Sequence, residues 1–380
     1  LTKYGDEKNI YKRQLEEAGY FENKKDGFKH IYPHFLDMVA LWAVMTRLEE
    51  PAIENYALKE LSTEQIEIAS VLTPIEKAKL YNGELPEELE DYEKMILKDK
   101  YLQKVLRNEH PLEGINGVSP RVIQNMLTDI ISENEKEGKQ CLSIFKLFNH
   151  LENLLEKGDP KIFAPFNRNA LYKNPKYALY AIDHEYHNRI AKEVKWAIIG
   201  LKKEDVEAKI KDYIRHVKAY VRNEKIEDKI TGNEMDPDEK VMEWIEEKLE
   251  INYDKDEFRR ELIRKMAYAR IENKDIEEID IKIVYSDLFE NLENGLFNEK
   301  LQKMPLSLEE LKYGIKKFGT EKFEELSKSY KKYVKGIIDY MVEYYGYCEN
   351  CAKEVLLYSL ENNFFEKYSS KYSDYNSFYD

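Results

Sequence analysis

Hydrophobic side chains recur at intervals of three and four residues along most of this chain, which is the spacing of a helix with one apolar face. The clearest case is the segment 33–48, where Phe35, Met38 and Trp42 fall on one side. The same spacing predicts helices over 11–18, 142–155, 174–199, 203–223, 237–249, 256–271, 285–297, 307–318, 320–345 and 348–364. No alternation of apolar and polar residues is long enough to require a sheet, so the pattern predicts an all-α fold.

Breaks in the helical pattern divide the chain. The run Gly-Asp-Pro at 158–160 is the best candidate boundary, because glycine and proline interrupt regular structure. The expected parts are a helical region at 1–158 with a charged insertion at 52–113, a larger helical domain at 159–366, and a tail at 367–380. The tail is rich in Tyr and Ser and poor in aliphatic residues, which predicts disorder.

The eight residues from Gly114 to Arg121, Gly-Ile-Asn-Gly-Val-Ser-Pro-Arg, predict a helix start that presents an arginine to an anion. Ser119 suits the N-cap, and Pro120 has the φ that the first helical position requires. Arg121 then lies in the first turn, at the positive end of the helix dipole. Because a helix N-terminus attracts anions and a guanidinium adds a bidentate clamp, Arg121 is a candidate phosphate ligand. Local sequence leaves open the alternative of an ordinary capped helix with a solvated arginine.

Composition and charge narrow the class of protein. The 380 residues are 35% charged and 42% hydrophobic, as in a globular protein long enough for two domains. The net charge of −14 argues against a nucleic-acid partner and against an anionic membrane surface, since both attract basic proteins. No apolar run approaches the roughly 20 residues of a membrane-spanning helix. Three cysteines form no disulfide framework, which fits a cytoplasmic protein.

An acidic run between 228 and 239 invites a calcium interpretation, but its carboxylates lack the ligand spacing of an EF-hand loop. A structural interpretation fits better. Thr231 and Gly232 form a turn, Asp236 caps a helix, and Pro237 is the first helical residue.

Two other pairs of residues are of types that commonly bind metals. His184 and His187 share a helix face, but they lack the four-residue spacing of the metalloprotease motif and a third ligand, so we interpret them as a polar face packed on a neighbouring helix. Cys348 and Cys351 have Cys-x-x-Cys spacing at a predicted helix start. A single such pair is weak support for zinc or redox chemistry, and we interpret both as structural thiols. A zinc site completed by another subunit stays open, but within this chain we expect no metal site.

Several motifs resemble the PrkA family of bacterial serine protein kinases, and they extend over most of the chain. The similar segments in the first part are 31–35 (Ile-Tyr-Pro-His-Phe), 45–51 (Met-Thr-Arg-Leu-Glu-Glu-Pro), 79–84 (Lys-Leu-Tyr-Asn-Gly-Glu) and 113–121. Those in the second part are 218–222 (Lys-Ala-Tyr-Val-Arg), 228–240, 258–261 and 346–355. The longest of them, 228–240, is also the most specific.

The family joins an N-terminal AAA+ ATPase module to a helical domain described as kinase-like. This chain resembles the part after the nucleotide-binding core, because it begins with Leu1 and has no Gly-x-x-x-x-Gly-Lys-Ser/Thr loop. The resemblance implies that 1–158 is an AAA+ lid bundle, with Arg121 in the place of the second sensor arginine that reaches the γ-phosphate. The region 159–366 is then the PrkA-type C-terminal domain.

The resemblance also implies ATP and Mg²⁺ as cofactors of the full-length protein, with none expected in this fragment. The implied partners are a protein substrate, the N-terminal ATPase core and a homo-oligomeric ring.

Motifs for phosphotransfer are missing from the chain. A protein kinase needs a Gly-rich loop, a strand lysine, a His-Arg-Asp loop and an Asp-Phe-Gly metal ligand, and the sequence contains none of them. The catalytic residues therefore stay unknown. The sequence predicts the C-terminal portion of a PrkA-like ATP-dependent serine protein kinase, inactive by itself. The alternative is a non-catalytic substrate-binding or assembly module of an AAA+ protein-remodelling or proteolytic machine.

Overall fold

The computed structural model of this chain describes residues 2–22, 29–52, 61–86, 89–157, 171–227, 232–272 and 284–362. The fold is all-α, as predicted, apart from two very small sheets. Two compact units divide the chain: unit 1 comprises Leu1–Val194 and Leu308–Asp380, and unit 2 comprises Lys195–Ser307. Among the described helices, none combines the length and the apolar character that crossing a membrane requires.

The helices, in chain order, are α1 (Tyr4–Glu17), α2 (Phe35–Met45), α3 (Thr63–Ser70), α4 (Pro74–Asn82), α5 (Asp91–Leu97), α6 (Lys100–Asn108), α7 (Pro120–Lys136), α8 (Ile144–Lys157), α9 (Pro175–Ile199), α10 (Lys203–Arg222), α11 (Glu239–Lys248), α12 (Lys255–Glu272), α13 (Ser286–Gln302), α14 (Leu308–Lys317), α15 (Glu321–Glu324), α16 (Lys328–Tyr345) and α17 (Glu349–Glu361). The strands are β1 (Tyr20–Phe21), β2 (Lys29–Ile31), β3 (Cys141–Leu142), β4 (Ile226–Glu227) and β5 (Glu234–Met235).

Helix α2 is the centre of unit 1. Its sequence is apolar on every side, and every residue except Asp37 is buried. A helix of that composition has to be enclosed by other elements. Helices α1, α4, α7 and α8 all pack against it.

A three-stranded parallel sheet lies in the same unit, with the strand order β1-β2-β3. Its register places His30 of β2 beside Cys141 of β3. These strands contain only two or three residues each, too few for an alternating pattern to be visible in the sequence.

Unit 2 is held together by a buried ion pair between two of its helices. Helix α10 packs against α11 and α12, and β4 and β5 form an antiparallel pair. Glu246 of α11 accepts two hydrogen bonds from Arg259 of α12, at 2.6 Å to Nε and 2.9 Å to Nη2. This bidentate geometry balances the two side-chain charges and also restricts the angle between the two helices.

Most predicted helices are confirmed with ends that differ by one or two residues, as for 174–199, found at Pro175–Ile199, and 203–223, found at Lys203–Arg222. The predicted helix 320–345 is wrong as a single element. It is two helices, α15 and α16, because Ser327 caps a new start by accepting a hydrogen bond from the Tyr330 amide. The first helix begins at Tyr4, seven residues before the predicted position at 11.

The predicted boundary at 158–160 and the predicted disordered tail at 367–380 lie outside the described residues, so both stay predictions. The compact units divide the chain at Val194 and at Leu308, because α14–α17 belong to unit 1.

The cap of α11 corrects a prediction. The N-cap is Asp238 rather than Asp236, and its carboxylate accepts a hydrogen bond from the Lys240 amide at 2.9 Å. The backbone amide of Asp238 donates to His216 Nδ1, which holds Asp238 extended ahead of the helix. Asp236 is exposed, two residues before the cap. The predicted turn starts at Thr231, which lies outside the described residues.

We expect Asp238→Ala to lower the free energy of unfolding of unit 2 by about 1 kcal/mol, because it removes the N-cap of α11. Asp236→Ala is the matched control and should change it by less than about 0.5 kcal/mol. Urea unfolding with EDTA and with Ca²⁺ measures both. Equal losses in the two variants would contradict the assignment, and a calcium-dependent gain in stability would show that the acidic run binds metal.

Candidate functional site

The loop that precedes α7 brings Arg121 to the surface. Ser119 occupies the N-cap position and Pro120 the first helical position, as predicted, although the Ser119 hydroxyl makes no capping hydrogen bond. Arg121 is exposed in the first turn. Within the described part of the chain we find no hydrogen bond or ion pair to its guanidinium.

The end of α2 holds this loop through three hydrogen bonds. The Gly114 amide donates to the Arg47 carbonyl at 3.2 Å, and the Val118 amide donates to Thr46 Oγ1 at 3.1 Å. Arg47 Nε in turn donates to the Val118 carbonyl at 2.6 Å. Thr46 and Arg47 therefore fix the backbone on both sides of Gly117, three residues before the start of α7.

Gly117 packs closely against the backbone at the end of α2. Its φ of 128° lies in a region that side chains other than glycine rarely adopt. A Cβ atom at this position would lie 2.5 Å from the Thr46 carbonyl oxygen. Both the conformation and the contact therefore require glycine.

The positive charge of Arg47 is balanced by the carboxylate of Glu7 of α1 in the interior of unit 1. The exposed fraction is 2% for Arg47 and 0% for Glu7, so the pair is out of contact with water. Arg47 Nη1 and Nη2 both donate to the Glu7 carboxylate, and the Tyr11 hydroxyl donates to the same group. Burial alone lowers the pKa of Arg47, but Glu7 outweighs it and the pKa is raised. Arg47 is therefore charged and uses its whole guanidinium to join α1, α2 and the loop.

A second buried network holds the start of the loop. Lys77 of α4 donates to Glu113 Oε1 at 2.8 Å and to the Glu49 carbonyl at 2.8 Å, and it lies 3.2 Å from Glu109 Oε1. The Tyr81 hydroxyl lies 2.9 Å from Glu113 Oε2. Glu113 is the residue directly before Gly114, so α4 fixes the loop at the end opposite to α7.

The neighbouring residues of α4 extend the network to α1 and α9. Asn82 Oδ1 accepts a hydrogen bond from the Gly5 amide at 3.0 Å, and Lys79 Nζ lies 2.6 Å from Glu185. Burial raises the pKa of Glu185, but Lys79 and Arg189 outweigh this and the pKa is lowered. The segments 45–51, 79–84 and 113–121 of the sequence thus meet in one buried polar network beneath the Arg121 loop.

A separate cluster in unit 1 contains all three cysteines. The side chains of His30, Cys141, Cys348 and Cys351 place four possible ligand atoms within 4.8 Å of one another. The sulfur–sulfur distances are 3.5 Å for Cys141–Cys348 and 3.2 Å for Cys348–Cys351, and His30 Nδ1 lies 3.2 Å from Cys351 Sγ. Three segments of the chain meet there: β2, β3 and the start of α17.

Hydrogen bonding and burial within this cluster shift the pKa values of the three thiols in different directions. Contact with Cys141, and then with Cys351, holds the pKa of Cys348 well below its usual range, while the same contact raises the pKa of Cys141 to about 12. Burial raises the pKa of Cys351. Cys348 is also the N-cap of α17, where its sulfur accepts a hydrogen bond from the Cys351 amide at 3.4 Å. Of the three thiols, Cys348 is therefore the one whose ionised form its surroundings favour.

Reasoning from the sequence missed His30 and Cys141. They lie far from the Cys-x-x-Cys pair along the chain and meet it only through the sheet register. The one indirect signal is that Cys141 is the sole remaining cysteine.

His187 contacts a neighbouring helix, as predicted for a polar helix face, whereas the contact of His184 is with its own helix. His187 Nε2 lies 2.8 Å from the Tyr358 hydroxyl of α17, and His184 Nδ1 lies 3.2 Å from Asn188. Neither belongs to a group of metal-type donors among the described residues.

Comparison with known proteins identifies the family. A family model of the PrkA serine protein kinase C-terminal domain matches residues 75–358, so this chain belongs to the PrkA family. The chain is also similar to the ATP-dependent protease PrkA of Bacillus subtilis (strain 168), with 29% identity over 270 residues. That similarity covers 70% of this chain and 36% of the relative, so the chain spans little more than a third of the relative's length. No solved structure matches the chain significantly.

The match begins at residue 75 and includes Arg121 and all three cysteines, whereas α1, α2 and His30 precede it. The buried network beneath the Arg121 loop therefore joins residues that precede the family match to residues within it.

We expect Arg47→Met to lower the free energy of unfolding of unit 1 by about 3–5 kcal/mol, because the Glu7 carboxylate stays buried without its partner. Arg47→Lys should lose less, since it keeps the charge but not the planar fork. Arg13→Met removes an exposed ion pair on α1, the helix that carries Glu7, with side-chain exposures of 83% and 69%, and serves as the control. Urea unfolding checks all three, and a loss for Arg47→Met no larger than that for Arg13→Met would contradict this account.

We expect Gly117→Ala to destabilise unit 1 by about 2 kcal/mol or more, because the new Cβ collides with the Thr46 carbonyl and the backbone is strained. Gly138→Ala is the matched control. It also has a positive φ, of 65°, but nothing lies within 4 Å of the added Cβ. The difference between the two thermal unfolding midpoints measures the contact together with the additional backbone strain at a φ of 128°. Equal shifts would show that the loop can move away from α2.

Proposed function

We propose that this chain is the C-terminal part of a PrkA-type ATP-dependent enzyme that acts on proteins, and that α7 presents Arg121 to the γ-phosphate of ATP bound by an ATPase module. The observation that carries the proposal is the position of Arg121. It is an exposed cation in the first turn of a long helix, on a loop that buried ion pairs hold in place.

The rigidity of the loop matters for this role. Hydrolysis spreads negative charge over the transferred phosphoryl group, and a cation lowers the barrier only if it is already in position when that charge develops. The bonds from Thr46 and Arg47 to the loop, and from Lys77 to Glu113, supply that positioning. The helix N-terminus adds favourable backbone N–H groups beside the guanidinium.

Exposed apolar residues in the loop that leads to Arg121 support an interface with another module. Leu112 and Ile115, both in the loop, are 63% and 68% exposed. Large apolar side chains that stay in water together with an unpaired cation are typical of a surface that another protein surface covers. An ATPase module is the partner that would place a nucleotide beside Arg121.

The reaction is phosphorylation of protein serine in the first form of the proposal, in keeping with the name of the family domain. A specific observation favours a second form: the similar protein from Bacillus subtilis is named an ATP-dependent protease. In that case the chain is a substrate-binding or assembly part of a machine that unfolds and cleaves proteins. In both forms Arg121 couples ATP turnover to the helical domain, and Mg²⁺ accompanies the nucleotide.

We expect Arg121→Ala, in the complete protein encoded by the gene, to lower ATP turnover about 100-fold while the Kd for ATP changes by less than about threefold. The interaction forms in the transition state, so its loss appears in kcat. Lys136→Ala is the control, because Lys136 is an exposed cation at the other end of the same helix. Steady-state hydrolysis and calorimetric titration with ATP measure the two quantities.

The same preparations show which reaction the ATP drives. Each is incubated with ATP labelled at the γ-phosphate and an unfolded Ser-rich protein, and both label transfer and cleavage are followed. Label on serine that is lost in Arg121→Ala supports the kinase form, and ATP-dependent cleavage supports the protease form. Unchanged turnover in Arg121→Ala would make Arg121 an ordinary solvated helix-start residue and sink the proposal.

A further inference from the structure

The four donors around Cys348 form a site of a different kind. His30, Cys348 and Cys351 are buried and Cys141 is partly buried, so the cluster is closed to solvent on most sides. Three sulfurs and one imidazole nitrogen are the donor set that zinc takes in structural sites. In such a tetrahedral site, bond lengths of about 2.3 Å to sulfur and about 2.1 Å to nitrogen place the ligands roughly 3.5–3.8 Å apart. Three of the six separations are 3.2 to 3.5 Å and all six are within 4.8 Å, so side-chain adjustments of about 1 Å or less would centre the four donors on an ion.

The orientation of His30 supports metal ligation. Its Nε2 lies 3.0 Å from the Gly346 carbonyl oxygen, which can only accept a hydrogen bond. Nε2 therefore carries the proton, and Nδ1, which lies 3.2 Å from Cys351 Sγ, has its lone pair available for a metal. Histidine ligands of zinc make this same arrangement, in which the nitrogen away from the metal donates to a carbonyl or carboxylate.

The turn between α16 and α17 supplies both the Gly346 carbonyl that accepts the hydrogen bond from His30 and the sulfur of Cys348. Gly346 ends α16 with a φ of 75°, and two residues later Cys348 caps α17. The amides of the first turn of α17 and its helix dipole both favour negative charge on sulfur. One short segment thus orients His30, presents Cys348 and Cys351, and stabilises their thiolates.

We propose that His30 Nδ1 and the sulfurs of Cys141, Cys348 and Cys351 bind one zinc ion in a closed, structural site. All four positions of the tetrahedron are occupied by protein, so the site has no open position for substrate or water. Binding releases the protons of those thiols that are not already thiolates, and no electron is transferred. The inference does not depend on the role proposed for Arg121.

A thiol–disulfide pair is the competing use of these residues. Oxidation of Cys348 with Cys351, or of Cys141 with Cys348, would use two sulfurs and leave the third thiol and the His30 lone pair without a purpose. The metal uses all four groups. The cluster therefore fits a zinc site better than a redox-active pair of thiols.

The site would tie the two distant parts of unit 1 together. Cys141 and Cys348 are 207 residues apart in sequence, and His30 and Cys351 are 321 apart. A ligand that binds only the folded state stabilises it in proportion to the logarithm of its concentration. Zinc would therefore hold β2 and β3 against the start of α17, and its removal should loosen the packing of α17.

The test begins with the 380-residue chain purified without chelator, analysed for metals by mass spectrometry. We expect one zinc ion per chain, and after exchange with Co²⁺ we expect the visible spectrum of tetrahedral cobalt with sulfur-to-metal charge-transfer absorption. Removing the ion with a chelator should lower the thermal unfolding midpoint by several degrees, and added zinc should restore it.

Variants separate a zinc site from a packed polar cluster. His30→Ala should reduce bound zinc at least tenfold, while His30→Cys should keep it, because four thiolates are also a zinc site, with a cobalt spectrum shifted by the added sulfur. His150→Ala, which changes a histidine on α8 that lies 2.9 Å from Glu133, should leave the metal content unchanged. Stoichiometric zinc that is lost in His30→Ala and kept in His30→Cys supports the proposal. A metal-free wild-type chain that takes up neither zinc nor cobalt would overturn it, whether its thiols are free or oxidised to a disulfide.

Discussion

The ion pair between Arg47 and Glu7 is the interaction on which the rest of unit 1 depends. A guanidinium out of contact with water is tolerated only if its donors are satisfied, and Arg47 satisfies them with the Glu7 carboxylate and the Val118 carbonyl. Those partners come from α1 and from the loop before α7, while Arg47 itself follows α2, in which every residue except Asp37 is buried. The arrangement of three elements is thereby set by one side chain. A hydrophobic residue in its place could fill the volume but could not define the position of the loop.

The two candidate sites both lie in segments that have little hydrophobic packing, and different interactions hold each of them. The Arg121 loop contains two glycines with positive φ and few apolar residues, so it has little hydrophobic packing to hold it and is fixed by buried charges. The start of α17 meets a sheet whose strands are only two or three residues long, and such a sheet provides little surface for packing. A metal ion would supply the missing cohesion there. In both places, polar contacts join segments that are distant in the sequence.

The helices could be predicted because each depends on local periodicity, and α9 and α10 were placed within one residue at each end. The helix start at Pro120 was also predictable, since Ser-Pro is a local signal for it. The cap of α11 was placed two residues early because the contact that decides it comes from His216, on another helix. Glu7, Lys77, His30 and Cys141 could not be found for the same reason. Each acquires its role from a partner many residues away, and neither spacing nor composition records that partner.

Arg121 differs from the buried basic side chains in having no carboxylate partner among the described residues. Arg47, Lys77, Lys79 and Arg259 each lie against a carboxylate, as expected in a chain with 74 acidic and 60 basic residues. Acidic side chains are therefore abundant, and a cation that needed neutralising could readily have acquired one. Arg121 has none among the described residues, although buried hydrogen bonds hold the loop that leads to it. A carboxylate beside it would compete with any anionic ligand for the guanidinium. Because the backbone is held in place and no carboxylate of the described residues occupies the guanidinium, Arg121 is available to bind a phosphate.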